Sequence, residues 1–151
     1  MPRAVASLES HLGYWLRAVS NQVSGAFAAR VETLGVSVAE WVVLRLLFDT
    51  EGIPPSELAD ATGMTRGAIS KLADRLMGRG LVAQRLDTED RRYQKLSLTA
   101  AGRALVPKLT ALADANEREF FGHLKAAERK AIETMMRGVI ARRDIRKMPV
   151  D

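Results

Sequence analysis

The chain has 151 residues, 47% hydrophobic and 27% charged, which suits one globular domain with a real hydrophobic core. Its 23 Lys and Arg outnumber 18 Asp and Glu, and the net charge of +5 favours an anionic partner. The absence of Cys excludes disulfide bonds and thiol redox sensing, and the longest apolar stretch, residues 41–48, is too short to span a bilayer. No secretory signal is evident at the start, so we expect a cytoplasmic protein without membrane association.

A long amphipathic helix is predicted over residues 8–34. Apolar side chains recur there every three or four residues, including Leu12, Trp15, Leu16 and Val19. Such a helix spans roughly 40 Å at 1.5 Å per residue, which is more than so small a fold can cover. Part of its apolar stripe is therefore expected to meet another subunit.

Two shorter helices are predicted next, after Gly35. Ser37 and Glu40 have the spacing of a capping box, and the helix that follows is apolar nearly all round, as expected of a central core element. A Pro-Pro pair at 54–55 begins the third helix, which Gly63 ends.

The fourth helix, residues 65–79, is predicted to have two contrasting faces. The hydroxyl of Thr65 can cap its first turn. Its buried face carries Ile69, Leu72 and Leu76. Its exposed face carries Arg66, Gly67, Ser70, Lys71 and Asp74.

The remaining chain predicts a hairpin and two more helices. Residues 81–86 and 93–98 form antiparallel strands around loop 87–92, with Val82, Leu96 and Leu98 inward. Thr99 caps a fifth helix to about residue 124, which Pro107 is expected to kink, and a sixth helix covers 126–143.

The excess positive charge is concentrated in residues 63–103. This segment holds nine Lys or Arg and four Asp or Glu, whereas the rest of the chain holds fourteen of each. Helix, tight turn, helix and hairpin is the order of a winged helix-turn-helix, whose second helix fits the major groove of DNA. The predicted fold is therefore mainly α with a small β-hairpin wing, and the predicted partner is double-stranded DNA.

The segment DTEDRRYQKLSLTAAG resembles the wing signature of the MarR family of bacterial transcription regulators. The matching positions are Asp87, Asp90, Arg92, Leu98, Thr99 and Gly102. ISKLADRL falls on the family's recognition-helix pattern, and the resemblance covers nearly the whole chain. It implies one domain, 1–151, in which 36–99 is the DNA-binding lobe and 1–35 and 100–145 are dimerisation helices. The chain departs from the family at Lys125, where the last helix usually has a Ser or Thr cap.

The resemblance implies DNA contacts from the recognition helix and the wing. Arg92 enters the minor groove, steered by an ion pair with Asp90, while Ser70 and Lys71 meet DNA and Arg75 lies near phosphate. The full predicted set is Thr65, Arg66, Gly67, Ser70, Lys71, Arg75, Asp90, Arg91 and Arg92. Two questions stay open: whether Lys71 contacts a base or a phosphate, and whether the two wing arginines are solvated residues of an exposed turn.

A site for a small-molecule effector is predicted from two pairs of residues, each pair one helical turn apart. His11 and Trp15 lie on the first helix, and Trp41 and Arg45 on the second. In MarR-like folds the cleft between the dimerisation and DNA-binding regions often accepts small aromatic acids, and aromatic walls with one cation suit such a ligand. The alternative is that both tryptophans are core residues and Arg45 pairs with a carboxylate.

These observations together predict a homodimeric transcriptional regulator, more often a repressor, that binds a pseudo-palindromic operator and is released by a small effector. The alternative is a winged-helix module that binds an acidic protein or associates nonspecifically with DNA. We expect no enzyme, because neither a nucleophile with an adjacent base nor a phosphate-cradling glycine loop occurs. We also expect no cofactor and no metal, since the acidic residues of loop 87–92 are balanced by arginines.

Overall fold

A computed structural model describes residues 1, 3–86, 89–90, 94–146 and 149–150. The described chain forms a short 3-10 helix, Leu8–Ser10, and then helices and strands in the predicted order. These are α1 (Leu12–Glu32), α2 (Val38–Phe48), α3 (Pro55–Thr62), α4 (Arg66–Gly78), β1 (Val82–Leu86), β2 (Gln94–Leu98), α5 (Ala100–Phe121) and α6 (Ala126–Arg143). The predicted mainly α fold with a β-hairpin wing is confirmed.

The first helix is shorter than predicted at both ends. His11 is extended, with φ −105° and ψ 125°, and this separates Leu8–Ser10 from α1. At the other end α1 stops at Glu32, because Gly35 adopts φ 72° and the Thr33 hydroxyl donates to the Arg30 carbonyl at 2.6 Å. The predicted single helix over residues 8–34 is therefore wrong in its boundaries.

The helix starts follow from local capping chemistry. The Ser37 hydroxyl accepts from the Glu40 amide at 3.1 Å, and the Glu40 carboxylate accepts from the Ser37 amide at 3.2 Å, as predicted. The hydroxyls of Thr65 and Thr99 each accept from the amide three residues on, at 3.1 Å. Lys125 offers no side-chain cap, and its own amide donates to the carboxylate three residues on at 2.9 Å. The sixth helix therefore begins where predicted, with half of a capping box.

The hydrophobic core lies where α2, α3, α4 and the hairpin meet the end of α1 and the start of α5. The fully buried large side chains are Val31, Val43, Leu44, Leu47, Leu58, Ile69, Leu72, Leu76, Leu96, Val106 and Leu109. In the antiparallel hairpin Val82 pairs with Leu98 and Gln84 with Leu96, so the predicted inward residues are buried. Ile53 forms a bridge to Leu96 at the outer edge of β2. The wing is thereby fixed to the helical core.

The hairpin also approaches the start of α5 very closely. The Thr99 amide donates to the Leu81 carbonyl at 3.1 Å, and the Thr99 hydroxyl donates to the Gly80 carbonyl at 2.6 Å. A Cβ atom added to Gly102 would lie 2.0 Å from the Leu81 carbonyl oxygen. Packing therefore requires glycine at position 102. This gives a physical reason for the glycine in the wing signature.

Two helices leave apolar faces uncovered. The first half of α1 exposes Leu12, Trp15, Leu16 and Val19, and α6 buries no residue. The exposed apolar side chains of α6 are Ile132, Met135, Met136, Val139 and Ile140. Among the described residues, no helix is long and apolar enough to cross a membrane. The predicted unpartnered stripe on the first helix is present, together with a second one on the last helix.

Candidate nucleic-acid interface

The fourth helix presents one continuous polar face to solvent. Ile69, Leu72, Ala73 and Leu76 are buried on one side of α4. The exposed side carries Arg66, Gly67, Ser70, Lys71, Asp74 and Arg75. This division places the five contacts predicted on α4 side by side, and three of them are cationic. The carboxylate of Asp74, which was not predicted to contact DNA, lies on the same face. The Thr65 hydroxyl, also predicted to meet DNA, is engaged in capping this helix.

The far end of α4 is tied to the loop between α1 and α2. The Arg79 guanidinium donates to the Gly35 carbonyl and, at 3.5 Å, to the Leu34 carbonyl. It also lies 3.8 Å from a carboxylate oxygen of Glu40, a residue that is 8% exposed. The orientation of the polar α4 face is thus coupled to α2. Sequence reasoning missed this link, which joins residues about 40 positions apart.

Only part of the wing can be assigned a geometry. Arg91 and Arg92, both predicted to contact DNA, lie outside the described residues, as does Asp87 of the wing signature. Asp90 is half-buried and takes part in an interaction, as Glu89 does. The two strands on either side of the loop are described, and Leu86 and Gln94, the last pair of the hairpin, are both exposed.

A cavity of about 400 Å³ lies between α1, α2 and α5. Its walls include Val23, Phe27, Trp41, Asn116 and Glu117. The rings of Phe27 and Trp41 meet edge to face with centroids 6.2 Å apart. Trp41, predicted from the sequence to contact an effector, thus forms part of the wall of this cavity.

The four predicted effector residues are not brought together within the described chain. Trp41 lines the cavity, whereas Arg45 lies in a separate depression and pairs with Asp49 at 2.7 Å. Trp15 is 52% exposed and donates from Nε1 to the Glu9 carbonyl at 2.9 Å. His11 is also exposed, with Nδ1 3.0 Å from the Ser7 carbonyl. The ion pair of Arg45 matches the alternative considered from the sequence.

A buried amide in the cavity wall was missed by the sequence reasoning. Asn116 is 5% exposed, donates to the Val23 carbonyl at 3.2 Å and accepts from Arg30 at 3.2 Å. Arg30 also pairs with Glu119, so α1 and α5 are joined by a polar network beside the cavity. The helical spacing of Val106, Leu109 and Asn116 on one face of α5 is the signal that could have identified it.

The described residues contain no group of three or more His, Cys, Asp or Glu side chains placed to hold a metal ion. On α6 the pKa of Glu133 is lowered, chiefly because Arg137 donates a hydrogen bond to its carboxylate. This exposed pair lies far along the chain from α4 and is an ordinary i,i+4 helix contact.

Comparisons with known proteins agree with this architecture. A family model described as the MarR family matches residues 34–92. The HTH-type transcriptional regulator PrsX of Escherichia coli is 30% identical over 112 residues, which cover 73% of this chain and 68% of that protein. The HTH-type transcriptional repressor Rv2887 of Mycobacterium tuberculosis is 28% identical over 128 residues, covering 85% and 92%. BpsR of Bordetella bronchiseptica, solved in work on regulation of its DNA binding by 6-hydroxynicotinic acid, is 28% identical with a TM-score of 0.76, covering 90% and 97%.

Proposed function

The chain belongs to the MarR family of transcriptional regulators, and we propose that it is a homodimeric repressor of a pseudo-palindromic operator, released by a small aromatic acid. The observation that carries the proposal is the polar face of α4. Three cations and several small residues lie on the exposed side of this helix, while its opposite side is buried in the core. The similarity to a repressor over most of both chains supports the direction of regulation.

In this proposal α4 lies in the major groove and the wing lies beside it. Arg66 and Lys71 reach guanine edges or phosphates, and Ser70 donates to or accepts from either kind of base pair. Gly67 has open space around its Cα, so the helix can approach the bases closely. Arg75 near the end of the helix is assigned to phosphate. The wing contributes Arg91 and Arg92 to the minor groove, with Asp90 orienting them.

Dimerisation is inferred from the uncovered apolar faces of α1 and α6. Leu12 is 87% exposed and Met135 is 68% exposed, and side chains of this kind are seldom left in contiguous patches on a monomer. Pairing these faces between two copies would cover both and place two α4 helices on one duplex. The second half-site contact then becomes intramolecular, which multiplies weak half-site affinities.

The effector is assigned to the cavity lined by Phe27 and Trp41. Its volume of about 400 Å³ lies within the range of small-molecule sites, and its aromatic walls suit a flat ring. Asn116 and Ser24 supply polar groups in the same walls. A ligand there contacts α2, which Glu40 couples to the end of α4 through Arg79. To release the protein from DNA, the ligand must bind more tightly to the form of the dimer in which the distance between the two α4 helices does not fit DNA.

Binding to DNA is tested by selecting duplexes from a random library and titrating the enriched sequences by fluorescence anisotropy at several salt concentrations. We expect an inverted repeat with half-sites about one helical turn apart and a steep salt dependence. Lys71→Ala should reduce affinity, while Lys108→Ala, an exposed change on α5, should not. Absence of any enriched sequence, or equal losses in both variants, would contradict the proposal and favour nonspecific association or protein binding.

The proposed dimerisation is tested by sedimentation equilibrium of the wild type and of Leu16→Glu. The variant should be monomeric at concentrations where the wild type is dimeric, because a charge would enter the apolar interface. Asn21→Glu, on the opposite side of α1, is the matched control and should leave the dimer intact. A stable Leu16→Glu dimer would place the interface elsewhere.

Binding of the effector is tested with 6-hydroxynicotinic acid as the first probe, because the similar protein BpsR was solved in work on regulation of its DNA binding by this acid. The chain has two Trp, so quenching of Trp41→Phe and Trp15→Phe can be compared directly. Binding in the cavity predicts that quenching and release of DNA persist in Trp15→Phe and are weakened in Trp41→Phe. The opposite pattern would move the ligand to the start of α1.

A further inference from the structure

A second cavity, of about 490 Å³, lies at the base of the wing, where the turn after α2 and the start of α5 meet the hairpin. The residues of its wall that bear on its chemistry are Glu51, Gly52, Arg85, Lys95, Ser97 and Arg103. Three cations thus share the wall with one carboxylate. None of these residues belongs to the polar face of α4 or to the cavity at Trp41.

The strand register places two of these cations directly opposite one another. Arg85 on β1 pairs with Lys95 on β2. Both side chains therefore leave the hairpin at the same level and on the same face, and an anion between them would be attracted to both. The pair lies on the face of the hairpin that turns away from the apolar core.

The wall of the cavity includes the buried hydroxyl of Ser97. Ser97 is 5% exposed, and its Oγ makes no hydrogen bond with any described residue. Buried side-chain hydroxyls are otherwise nearly always paired. A Cβ on Gly52 would lie 3.2 Å from that oxygen and 3.1 Å from the Lys95 Cβ, so glycine keeps the space beside the hydroxyl open.

The third cation is held in place by the end of α2. Arg103 donates from Nη1 to the Phe48 carbonyl at 3.1 Å, and its guanidinium lies 5.3 Å from the centre of the Phe48 ring. A guanidinium has five N–H donors, so this anchoring leaves others for a ligand. A fixed guanidinium beside a hydroxyl donor and a second arginine is the donor set that suits a tetrahedral oxyanion.

We propose that this wing-base cavity binds a phosphate group through Arg85, Arg103 and the hydroxyl of Ser97. The group can come from free phosphate or a phosphate ester, or from the backbone of bound DNA, since the chemistry is the same. The site stands independently of the operator and effector proposals, because free phosphate can be tested without either.

The test is calorimetric titration of the DNA-free protein with inorganic phosphate, at ionic strength held constant with chloride. Wild type should show saturable binding, and Ser97→Ala and Arg85→Gln should each weaken it by about tenfold, the loss expected for one hydrogen bond to a charged group. Gly52→Ala should also weaken it by filling the floor. Arg142→Gln, which removes the same charge from the exposed end of α6, should have no effect.

Stability measurements guard against a merely structural effect. In chloride alone Ser97→Ala should be neutral or stabilising, since it removes a buried unpaired hydroxyl, while phosphate should raise the Tm of wild type and Arg142→Gln more than that of Ser97→Ala or Arg85→Gln. Equal phosphate binding by wild type, Ser97→Ala and Arg85→Gln, or an equal loss in Arg142→Gln, would overturn the proposal.

Competition identifies the source of the phosphate. If free phosphate weakens DNA binding of wild type at constant ionic strength but not that of Arg85→Gln, the site takes a backbone phosphate. If phosphate binds without changing DNA affinity, the site serves a free ligand.

Discussion

Replacing Gly102 by Ala tests how the wing is fixed to the helical core. The residue lies in the first turn of α5, where the added Cβ would be 2.0 Å from the Leu81 carbonyl oxygen and 3.2 Å from a Leu98 methyl group. The first contact is with backbone, which cannot rotate away as a side chain can. The same carbonyl accepts the Thr99 amide at 3.1 Å, so any shift that relieves the clash also strains this hydrogen bond.

Two opposing effects decide the magnitude. Alanine in place of glycine favours a helix by about 1 kcal/mol. Overpacking costs about 1–3 kcal/mol, with the upper end expected for a backbone clash, and loss of the shared hydrogen bond adds about 1 kcal/mol. The clash wins, and the free energy of unfolding should fall by about 2–3 kcal/mol, or about 5–10 °C in Tm for a chain of this length.

Urea unfolding followed by circular dichroism, at one protein concentration because the proposed dimer would couple to unfolding, measures the change. Gly67→Ala is the matched control, since it is also a helical glycine but has no atom within 4 Å of the added Cβ. That variant should be unchanged or stabilised by up to about 1 kcal/mol. If Gly102→Ala were as stable as Gly67→Ala, the close approach of α5 to the hairpin would be refuted.

Two further substitutions test the polar links between helices. Arg79→Met should lower the free energy of unfolding by about 1–2 kcal/mol, because the Gly35 carbonyl loses a donor and the Glu40 carboxylate loses its cation while keeping the Ser37 amide; unchanged urea unfolding would show that this link adds no stability. Asn116→Leu should cost about 1–3 kcal/mol despite its apolar replacement, because Arg30 loses an acceptor and the Val23 carbonyl loses its second donor, each at 3.2 Å. A stabilised Asn116→Leu variant in the same assay would indicate that packing outweighs the hydrogen bond there.

Much of the fold could be predicted because it depends on local chemistry. Ser37, Thr65 and Thr99 form their predicted caps, since a hydroxyl reaches an amide three residues on without help from distant parts of the chain. The two faces of α4 follow from helical periodicity for the same reason. The start of the first helix was harder to predict. The spacing of apolar residues continues from Leu8 to Leu12 as in a helix, although the backbone at His11 is extended.

The candidate sites were predicted unevenly, for a related reason. The polar face of α4 is contiguous along one helix, so the sequence places its residues together. The set His11, Trp15, Trp41 and Arg45 requires two helices to pack in one particular alignment, and the described chain leaves those residues apart. Asn116 and Arg30 are 86 positions apart in the sequence. The spacing of apolar residues along α5 indicates only that Asn116 falls on the buried face of the helix, and nothing in the sequence indicates that it pairs with Arg30.

The sequence by itself determined the order of helices and strands, the capped starts of α2, α4 and α5, and the concentration of charge between residues 63 and 103. These are properties of neighbours along the chain, governed by hydrogen bonds within a turn and by side-chain periodicity. Only the tertiary structure decided which apolar faces stay uncovered, why Gly102 admits no side chain, and that Ser97 and Arg103 share one cavity. Those outcomes depend on distances between segments far apart in sequence, which are fixed only when the core closes around them.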